Sequence, residues 1–378
     1  MRKLLALALA LSLHLAAAAD QPPITLGGLF NITGRQAALD LPASQGAQLA
    51  VEQANQNNAP LQRQVRLVLM DGASDPAGLV NRTREMLATH PRLCALLGFS
   101  ETDFVLAAAP MGARQRLPFV TSGATSPRLT REVPNYLFLA AFGDNVQAAA
   151  AAEFACADLQ AKTAYIIYDD STEYTRLLQQ YFVTRFQEMG GQVLGLYAFN
   201  PQQVDRLSLK AAKADVLFVA AGPQEALPAV RRLRSMGLDM PILGGDAFDS
   251  NVWSGAGDVS KVYYTTHAYL GESNTRPAVV NFRQAYAARF PGSTPDAFAA
   301  LGYDTVNLLL TAIRQSNSAE SDKIRDGLAQ MNGFEGVTGT ISYPNGNPIP
   351  SKSVSLVKLE KGQSSLVREL TPRSVPEP

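Results

Sequence analysis

The sequence is poor in cysteine and histidine, the residues on which disulfide frameworks and many metal sites depend. It contains two cysteines and three histidines in 378 residues. Cys94 lies in an apolar run and Cys156 in an alanine-rich segment. We expect both to be core thiols, although an exported protein can also form a bridge. The residue pattern leaves the pairing of the two cysteines open.

The chain also has no excess of positive charge. Lys and Arg together number 33, as do Asp and Glu, and the basic residues form no cluster, which argues against a nucleic-acid partner. Motifs of phosphate-binding loops, serine hydrolases, thioredoxin-like redox centres and zinc peptidases are missing. His90 and His267 lie far apart in sequence, without a cysteine or acidic partner at metal-ligand spacing. We therefore expect no enzyme activity, no metal and no cofactor.

The first residues have the pattern of a secretory signal peptide. Arg2 and Lys3 precede an apolar run from Leu4 to Leu15, and Ala17 to Ala19 supply the small residues of a cleavage site. The run is too short to predict a membrane anchor. We expect residues 1–19 to be removed and the remaining chain, with a net charge of about −2, to be soluble in the periplasm.

Segments typical of strands and of helices alternate along the rest of the chain, which predicts parallel strands joined by crossover helices. The predicted strands are 24–30, 65–70, 94–97, 118–120, 164–168, 193–197, 216–219, 241–243, 262–265, 339–343 and 354–359. The predicted helices are 46–57, 76–89, 103–114, 145–159, 174–189, 203–213, 224–236, 276–290, 296–316 and 321–331.

This order of segments predicts an α/β protein with two doubly wound, Rossmann-like lobes, between which the chain crosses more than once. We expect the first lobe to comprise residues 20–141 and 269–337. The second lobe then comprises residues 142–268 and 338–368, and residues 369–378 form a flexible tail. His267 lies close to a predicted crossing, where it can line a cleft.

Four loops that follow predicted strands are the candidate ligand-binding segments, because ligands of open α/β sheets sit beyond the carboxyl ends of the strands. These loops are 31–37, 98–102, 121–127 and 244–248. The second loop leads directly into a helix, whose N-terminus can hold a carboxylate without a cationic side chain. Its Ser100 and Thr102 are candidate ligand hydroxyls, although Thr102 can equally be a plain helix cap.

The other loops supply the remaining candidate contacts. Gly123 and Ala124 let a ligand approach the backbone closely, and Thr125 adds a hydroxyl. Asp246 follows a buried strand and two glycines, where it can pair with a ligand ammonium or simply begin a helix. Phe99 and Phe248 flank the predicted site and can form an apolar pocket, with core packing as the alternative.

Together the motifs resemble the type I periplasmic binding proteins, in particular the leucine-isoleucine-valine-binding group, over essentially the whole chain after the signal segment. The stretches that carry the resemblance are Gly34, Gly46 to Asn55, Asp71 with Ser74 to Pro76, Gly98 to Thr102, Thr121 to Thr130, Asp170 with Tyr174, Arg234 to Leu238 and Gly302 to Asp304. The resemblance implies two lobes with a multi-strand hinge, which close on a ligand.

The resemblance also implies roles for particular residues. The residues at Thr102 and Thr125 bind the ligand α-carboxylate, and the backbone at Gly123 and Ala124 contacts its ammonium or carboxylate. Asp246 pairs with the ammonium from the other lobe, where family members carry a longer glutamate, and Tyr174 belongs to the second-lobe motif.

Some positions depart from the family pattern. The aromatic residue of the first loop falls near Leu39, and the second-lobe aromatic that covers the ligand aligns with Gly222 or Pro223. The walls of the pocket therefore differ, and the resemblance does not carry leucine-type specificity to this chain.

The function that the resemblance implies is capture of an amino acid, branched-chain or related, for an inner-membrane ABC permease. We expect the protein to act as a monomer. The alternative is a periplasmic sensor subunit with the same fold and site, for an amino acid, an amide or an aromatic carboxylate.

Overall fold

The computed structural model describes residues 21–199, 213–253 and 255–378. The predicted signal peptide lies outside the described residues, as do residues 203–212 of the predicted helix 203–213. Over the described ranges, no helix combines the length and the apolar character needed to cross a membrane.

The strands agree closely with the predicted ones. They are β1 (Ile24–Phe30), β2 (Val65–Asp71), β3 (Leu93–Gly98), β4 (Phe119–Thr121), β5 (Leu137–Leu139), β6 (Thr163–Asp169), β7 (Gln192–Phe199), β8 (Val216–Ala220), β9 (Ile242–Gly244), β10 (Val262–Thr266), β11 (Phe334–Gly336), β12 (Gly339–Ile341), β13 (Val354–Glu360) and β14 (Gln363–Leu370). The short strands β5 and β11 and the edge strand β14 were not expected from the sequence.

The helices are α1 (Ala37–Asn57), α2 (Pro76–Thr89), α3 (Thr102–Arg114), α4 (Leu129–Glu132), α5 (Asp144–Ala157), α6 (Glu173–Glu188), α7 (Ala226–Ser235), α8 (Pro277–Arg289), α9 (Ala297–Ser316) and α10 (Ser321–Ala329). Helix α1 begins nine residues before the predicted start at residue 46. Pro42 lies inside it and removes one backbone hydrogen bond. The burial of Leu39, Ala43 and Ala47 against the sheet explains why the helix forms across this proline.

Two sheets organise the two lobes. The first is parallel, with the order β2-β1-β3-β4-β5. The second has the order β14-β13-β10-β9-β8-β6-β7 and is parallel from β10 to β7, whereas β13 and β14 are antiparallel. Buried apolar clusters cover both faces of each sheet. The expectation of two doubly wound α/β lobes is thus confirmed.

The chain passes between the sheets at residues 140–143, 267–276 and 342–353. Buried Lys352 on the third crossing donates from Nζ to the carbonyl oxygen of Ala140 on the first, at 3.1 Å. Ile341 and Tyr343 pack into the core of the first lobe. The division into lobes at the residues given above stays a prediction.

The last residues lie against helix α5. The carboxylate of Glu153 accepts hydrogen bonds from the backbone N–H of Arg373 at 2.9 Å, and Asn145 Nδ2 donates to the carbonyl oxygen of Pro376 at 2.9 Å. The predicted tail 369–378 thus begins within β14 and continues along α5. The two cysteines are free thiols, with Cys94 buried beside β1.

Candidate ligand-binding site between the two lobes

The carboxyl ends of the parallel strands bring the predicted loops together. In the first sheet, the register places Leu29 beside Gly98 and Gly98 beside Thr121, so that β1, β3 and β4 end at one level. The second lobe faces this edge across a cleft. Arg35, in the loop after β1, forms an ion pair with Glu225 of the second lobe at 2.7 Å.

The loops after β1 and β3 are joined by a buried carboxylate, that of Asp40 in the first turn of α1. Its Oδ2 accepts from the N–H of Asn31 at 2.8 Å, and its Oδ1 accepts from the N–H of Ser100 at 2.9 Å. Burial raises the pKa of Asp40 to about 6, although these hydrogen bonds favour the ionised form. Asp40 therefore fixes the position at which Ser100 enters the site.

Helix α3 begins at Thr102, one residue earlier than predicted. Glu101, and not Thr102, occupies the capping position, and its side chain makes no capping hydrogen bond. Gly98 has φ of +124°, and a Cβ there would lie 1.9 Å from the carbonyl oxygen of Leu29. This close approach requires glycine at position 98. Because Glu101 occupies the capping position, the hydroxyl of Thr102 does not cap the helix.

The loop after β4 packs its backbone N–H groups into the first lobe. Thr121 Oγ1 donates to the carbonyl oxygen of Phe99 at 2.7 Å and accepts from the N–H of Ala124 at 3.2 Å. The N–H of Gly123 also donates to Phe99, at 3.4 Å. Because these N–H groups already have acceptors, the loop can bind a ligand through its backbone carbonyl oxygens. Carbonyl oxygens accept hydrogen bonds from an ammonium group.

In the second lobe, Asp246 follows β9 and is held by three side chains from other elements. Its Oδ1 accepts from Gln147 Nε2 at 2.7 Å and from the Tyr174 hydroxyl at 2.8 Å, and its Oδ2 lies 2.9 Å from His267 Nε2. Gln147 Oε1 accepts in turn from the N–H of Asp246 at 3.0 Å. The carboxylate therefore has a fixed orientation.

His267 connects this network to the first lobe. Its ring centroid lies 4.0 Å from that of Phe142 and 6.1 Å from that of Phe298. A Cβ on Gly123 would lie 2.8 Å from the ring of Phe298. The ring contacts therefore run from Asp246 through His267 and Phe298 to Gly123, so that the third and fourth predicted loops lie at one site.

Six buried polar atoms around this cleft have no hydrogen-bond partner within the residues that the structure describes. Their residues are between 0% and 7% exposed. The atoms are Ser100 Oγ, Glu101 Oε1, Thr102 Oγ1, Ser122 Oγ, Asp144 Oδ2 and His267 Nδ1. Because buried polar atoms are normally hydrogen-bonded, this set indicates the place of a polar ligand.

Two carboxyl groups of the site, those of Glu101 and Asp144, have raised pKa values. Burial, together with the charges of Asp103 and Asp144, raises the pKa of Glu101 well above its ordinary value. Burial and the charge of Asp246 do the same to the pKa of Asp144. Carboxyl groups crowded in this way attract a cation or a group rich in hydrogen-bond donors.

The structure divides the predicted site residues into two groups. Near the cleft lie Ser100, Thr102, Gly123, Ala124, Thr125, Tyr174 and Asp246. The rings of Phe99 and Phe248 are fully buried in core clusters, where Phe99 contacts Phe104 and Phe248 contacts Trp253. A ligand role for each of these nine residues stays a prediction.

Sequence reasoning overlooked several residues of the site. Glu101 lies within the predicted loop 98–102 but was not singled out as a site residue, and neither were Asp144 and Gln147. Their i, i+3 spacing at the start of α5 places both on one helix face, and Gln147 Nε2 donates to Asp144 Oδ1 at 3.1 Å. His267 was considered, but its partner Asp246 could not be identified from sequence distance.

A separate cavity of about 300 Å³ lies beside the crossing at 267–276 and is lined by Asp249, Ser250, Trp253 and Asp296, among others. None of the nine predicted site residues lines it. The backbone N–H of Ala297 and the hydroxyl of Thr266 hydrogen bond to the carboxylate of Asp249. Asp249 thus connects the second lobe to the start of α9.

Comparison with known proteins gives relatives along nearly the whole chain. The Leu/Ile/Val-binding protein BraC3 of Rhizobium johnstonii is 25% identical over 346 residues, which are 90% of this chain and 92% of that protein. The crystal structure of the leucine-binding protein LivK of Thermotoga maritima is 26% identical, with a TM-score of 0.83, and covers 92% of this chain and 99% of its own.

A second solved structure was determined with a ligand. It is the substrate-binding protein LivJ of Streptococcus pneumoniae in complex with isoleucine, which is 25% identical, has a TM-score of 0.83 and covers 93% of this chain and 100% of its own. The family model described as "Periplasmic binding protein" matches residues 23–364. With two doubly wound lobes and a polar interlobe cleft, the chain belongs to the periplasmic binding protein family.

Proposed function

We propose that this protein captures an amino acid between its two lobes and delivers it to the permease of an ABC transporter. The observation that carries the proposal is the set of buried polar atoms without a partner, described above, which comes from both sides of the cleft. The names of the relatives BraC3, LivK and LivJ agree with an amino-acid ligand.

We assign the ligand carboxylate to the first lobe. The hydroxyl of Thr102 lies at the N-terminus of α3 and has no partner in the described chain, and Thr125 lies beside the start of α5. The partial positive charge of a helix N-terminus favours an anion, which supports this assignment for the hydroxyl of Thr102.

We assign the ligand ammonium to Asp246 and to the carbonyl oxygens of the loop around Gly123 and Ala124. Asp246 is 2% exposed and already accepts from Gln147 and Tyr174 at Oδ1 and lies against His267 Nε2 at Oδ2. A carboxylate has room for a further donor. Tyr174 and Gln147 then act as positioning residues that orient Asp246.

The lobes close by motion at the three crossings, and the closed form is the one that the permease recognises. The ion pair between Arg35 and Glu225 and the contact of Ser126 Oγ with Glu173 Oε1, at 3.5 Å, are formed across the cleft in this structure. Export to the periplasm through the predicted signal segment and action as a monomer complete the proposal.

Titration calorimetry of the mature protein with amino acids and with the corresponding 2-oxo acids tests the proposal. Asp246→Ala should weaken amino-acid binding at least about tenfold, because it removes a buried charge that faces the ammonium, and should leave 2-oxo acids nearly unaffected. The control is Asp239→Ala, whose side chain is 78% exposed in a surface ion pair with Lys261.

Failure of every amino acid to bind the unaltered protein would refute amino-acid capture. Equal losses for amino acids and 2-oxo acids in Asp246→Ala would instead refute the assignment of the ammonium to Asp246. A folding check by thermal unfolding belongs with the variant, because Asp246 also accepts hydrogen bonds from Gln147 and Tyr174.

A further inference from the structure

Glu101 is the feature of the cleft that capture of an apolar amino acid leaves unexplained. It occupies the capping position of α3 but makes no capping hydrogen bond, and it is only 6% exposed. Within the described chain, its Oε1 has no hydrogen-bond partner. A buried carboxylate without a partner is strongly unfavourable, so a ligand group that Glu101 binds accounts for its position.

The charges around Glu101 are of its own sign. The groups that most strongly affect it through their charge are the carboxylates of Asp103, Asp144, Asp246 and Asp40. Asp144 Oδ2 also has no partner among the described residues. Like charges crowded in a buried site repel each other, and a cationic ligand group relieves this repulsion.

The charge of the ligand follows from this count of carboxylates. An amino acid with an apolar side chain brings one ammonium and one carboxylate, and Asp246 suffices for that ammonium. Glu101 Oε1 and Asp144 Oδ2 then remain without a hydrogen-bond partner in the described chain. We infer that the captured amino acid is a basic one, whose side-chain ammonium or guanidinium group is bound by Glu101 and Asp144. This inference rests on the proposed function.

The hydroxyl groups of Ser100 and Ser122 nearby agree with a polar side chain on the ligand. Ser122 Oγ has no partner in the described residues, and Ser100 lies close enough to Gly123 that a Cβ there would be 2.8 Å from its side chain. The rings of Phe99 and Phe248 are directed into the cores. An apolar ligand side chain at this place would leave the hydroxyl group of Ser122 buried and unpaired, which is costly.

A second consequence concerns protons. Burial and neighbouring carboxylates raise the pKa of Glu101 and of Asp144, which favours the protonated forms while the site is empty. A bound cation stabilises the ionised forms and displaces protons. Binding of a basic amino acid should therefore release protons, and binding of an analogue with an uncharged side chain should not.

Lysine and norleucine provide the comparison, because norleucine is lysine without the terminal ammonium. Calorimetry on the unaltered mature protein should give an affinity for lysine, ornithine or arginine at least about tenfold higher than for norleucine or leucine. Titrations in two buffers of different ionisation enthalpy should reveal proton release with the basic ligand only.

Glu101→Gln removes the charge while keeping the size and shape of the side chain. It should lower the preference for lysine over norleucine, taken as the ratio of the two affinities in the same variant, by at least about tenfold. The control is Glu320→Gln, because Glu320 caps α10 in the same position but is exposed. Thermal unfolding of both variants shows whether the fold is retained.

The outcomes separate the inference from the proposed function. Tight binding of leucine or norleucine with weak or equal binding of lysine would overturn the inference and leave amino-acid capture intact. A lysine preference that survives in Glu101→Gln would overturn the role of Glu101. Failure of all amino acids to bind would refute the proposed function itself.

Discussion

The ring of His267 and the carboxylate of Asp246 lie 2.9 Å apart, measured from Nε2 to Oδ2, and both residues are buried. Burial lowers the pKa of His267, although the neighbouring Asp246 favours the charged ring. A neutral imidazole ring donates a hydrogen bond to a carboxylate from the nitrogen that faces it, so the proton of His267 is on Nε2. Nδ1 is then a bare acceptor, and it has no partner in the part of the chain that the structure describes.

We expect His267 to remain neutral, with its proton on Nε2, from pH 6.5 to pH 8. Because burial lowers the pKa of His267 below its ordinary value of 6.5, the neutral ring is the main form in this range. The measurement is a ¹H–¹⁵N correlation spectrum of the ring nitrogens in a mature His90→Gln protein, in which His267 is the remaining histidine. Ring shifts of a doubly protonated imidazole at pH 7 would contradict the expectation.

The ion pair between Arg35 and Glu225 is expected to slow the opening of the cleft. It joins the lobes at 2.7 Å, with Arg35 59% exposed and Glu225 13% exposed in their side chains. Because an exposed pair contributes at most about 1 kcal/mol, Arg35→Ala should raise the dissociation rate of the ligand by about two- to fivefold. Stopped-flow fluorescence at low salt measures this rate.

A matched control for that variant is Arg116→Ala. Arg116 forms an exposed ion pair with Asp322 at 2.7 Å, entirely within the first lobe. Arg116→Ala should leave the dissociation rate of the ligand unchanged. Raising the salt concentration should remove the difference in dissociation rate between Arg35→Ala and the unaltered protein. Equal dissociation rates in the two variants would show that the interlobe pair has no part in closure.

The sequence predicted the alternating elements because apolar runs bounded by glycine and proline are local features. It placed the candidate loops at the carboxyl ends of β1, β3 and β4 in the first sheet and of β9 in the second sheet, as the structure has them. It did not predict the start of α1, since Pro42 and the polar residues around it obscure the helical pattern, which tertiary burial of Leu39 and Ala43 overrides.

The partners of the site residues could not be predicted in the same way. Asp40 contacts Ser100, which is 60 residues away, and Gln147 contacts Asp246, which is 99 residues away. Such contacts depend on the register of the sheets and on the chain crossings, and no local pattern encodes either. Glu101 was overlooked because an acidic residue at a helix start is usually a solvated cap, and only its burial distinguishes it.

Stability should depend on pH through Asp249. Burial raises the pKa of Asp249 from 3.8 to about 6, so the folded state retains the proton over a range in which the unfolded state has lost it. Its stabilising contribution is complete below pH 3.8 and is lost as the pH rises through 6. Asp249→Asn, which stays neutral, should therefore raise the free energy of unfolding at pH 8 by about 1 to 3 kcal/mol.

Urea unfolding at pH 4 and pH 8 measures this effect as the difference between Asp249→Asn and the unaltered protein. The difference should be small at pH 4, where both side chains are largely uncharged. Asp258→Asn, which removes an exposed ion pair with Arg231, should change the stability by less than about 1 kcal/mol at pH 8. A larger gain for Asp249→Asn at pH 4 than at pH 8 would reverse the predicted sign.

Helices α1 and α9 approach each other through a reciprocal pair of glycines. A Cβ on Gly46 would lie 1.9 Å from the carbonyl oxygen of Ala299, and a Cβ on Gly302 would lie 1.9 Å from the carbonyl oxygen of Ala43. Both obstacles are backbone atoms, so an added methyl group can be accommodated only if one helix moves. The same contact positions the first turn of α9, which carries Phe298 to the site.

Gly302→Ala should therefore lower the free energy of unfolding by about 3 kcal/mol, at the upper end of what overpacking costs, and should also weaken ligand binding. Gly257→Ala is the control, because Gly257 is exposed and the nearest atom to a Cβ there lies 4.0 Å away. Urea unfolding and calorimetry of the two variants give both quantities. A loss below about 1 kcal/mol in Gly302→Ala would mean that α9 shifts without cost, in which case Phe298 does not depend on this contact for its position.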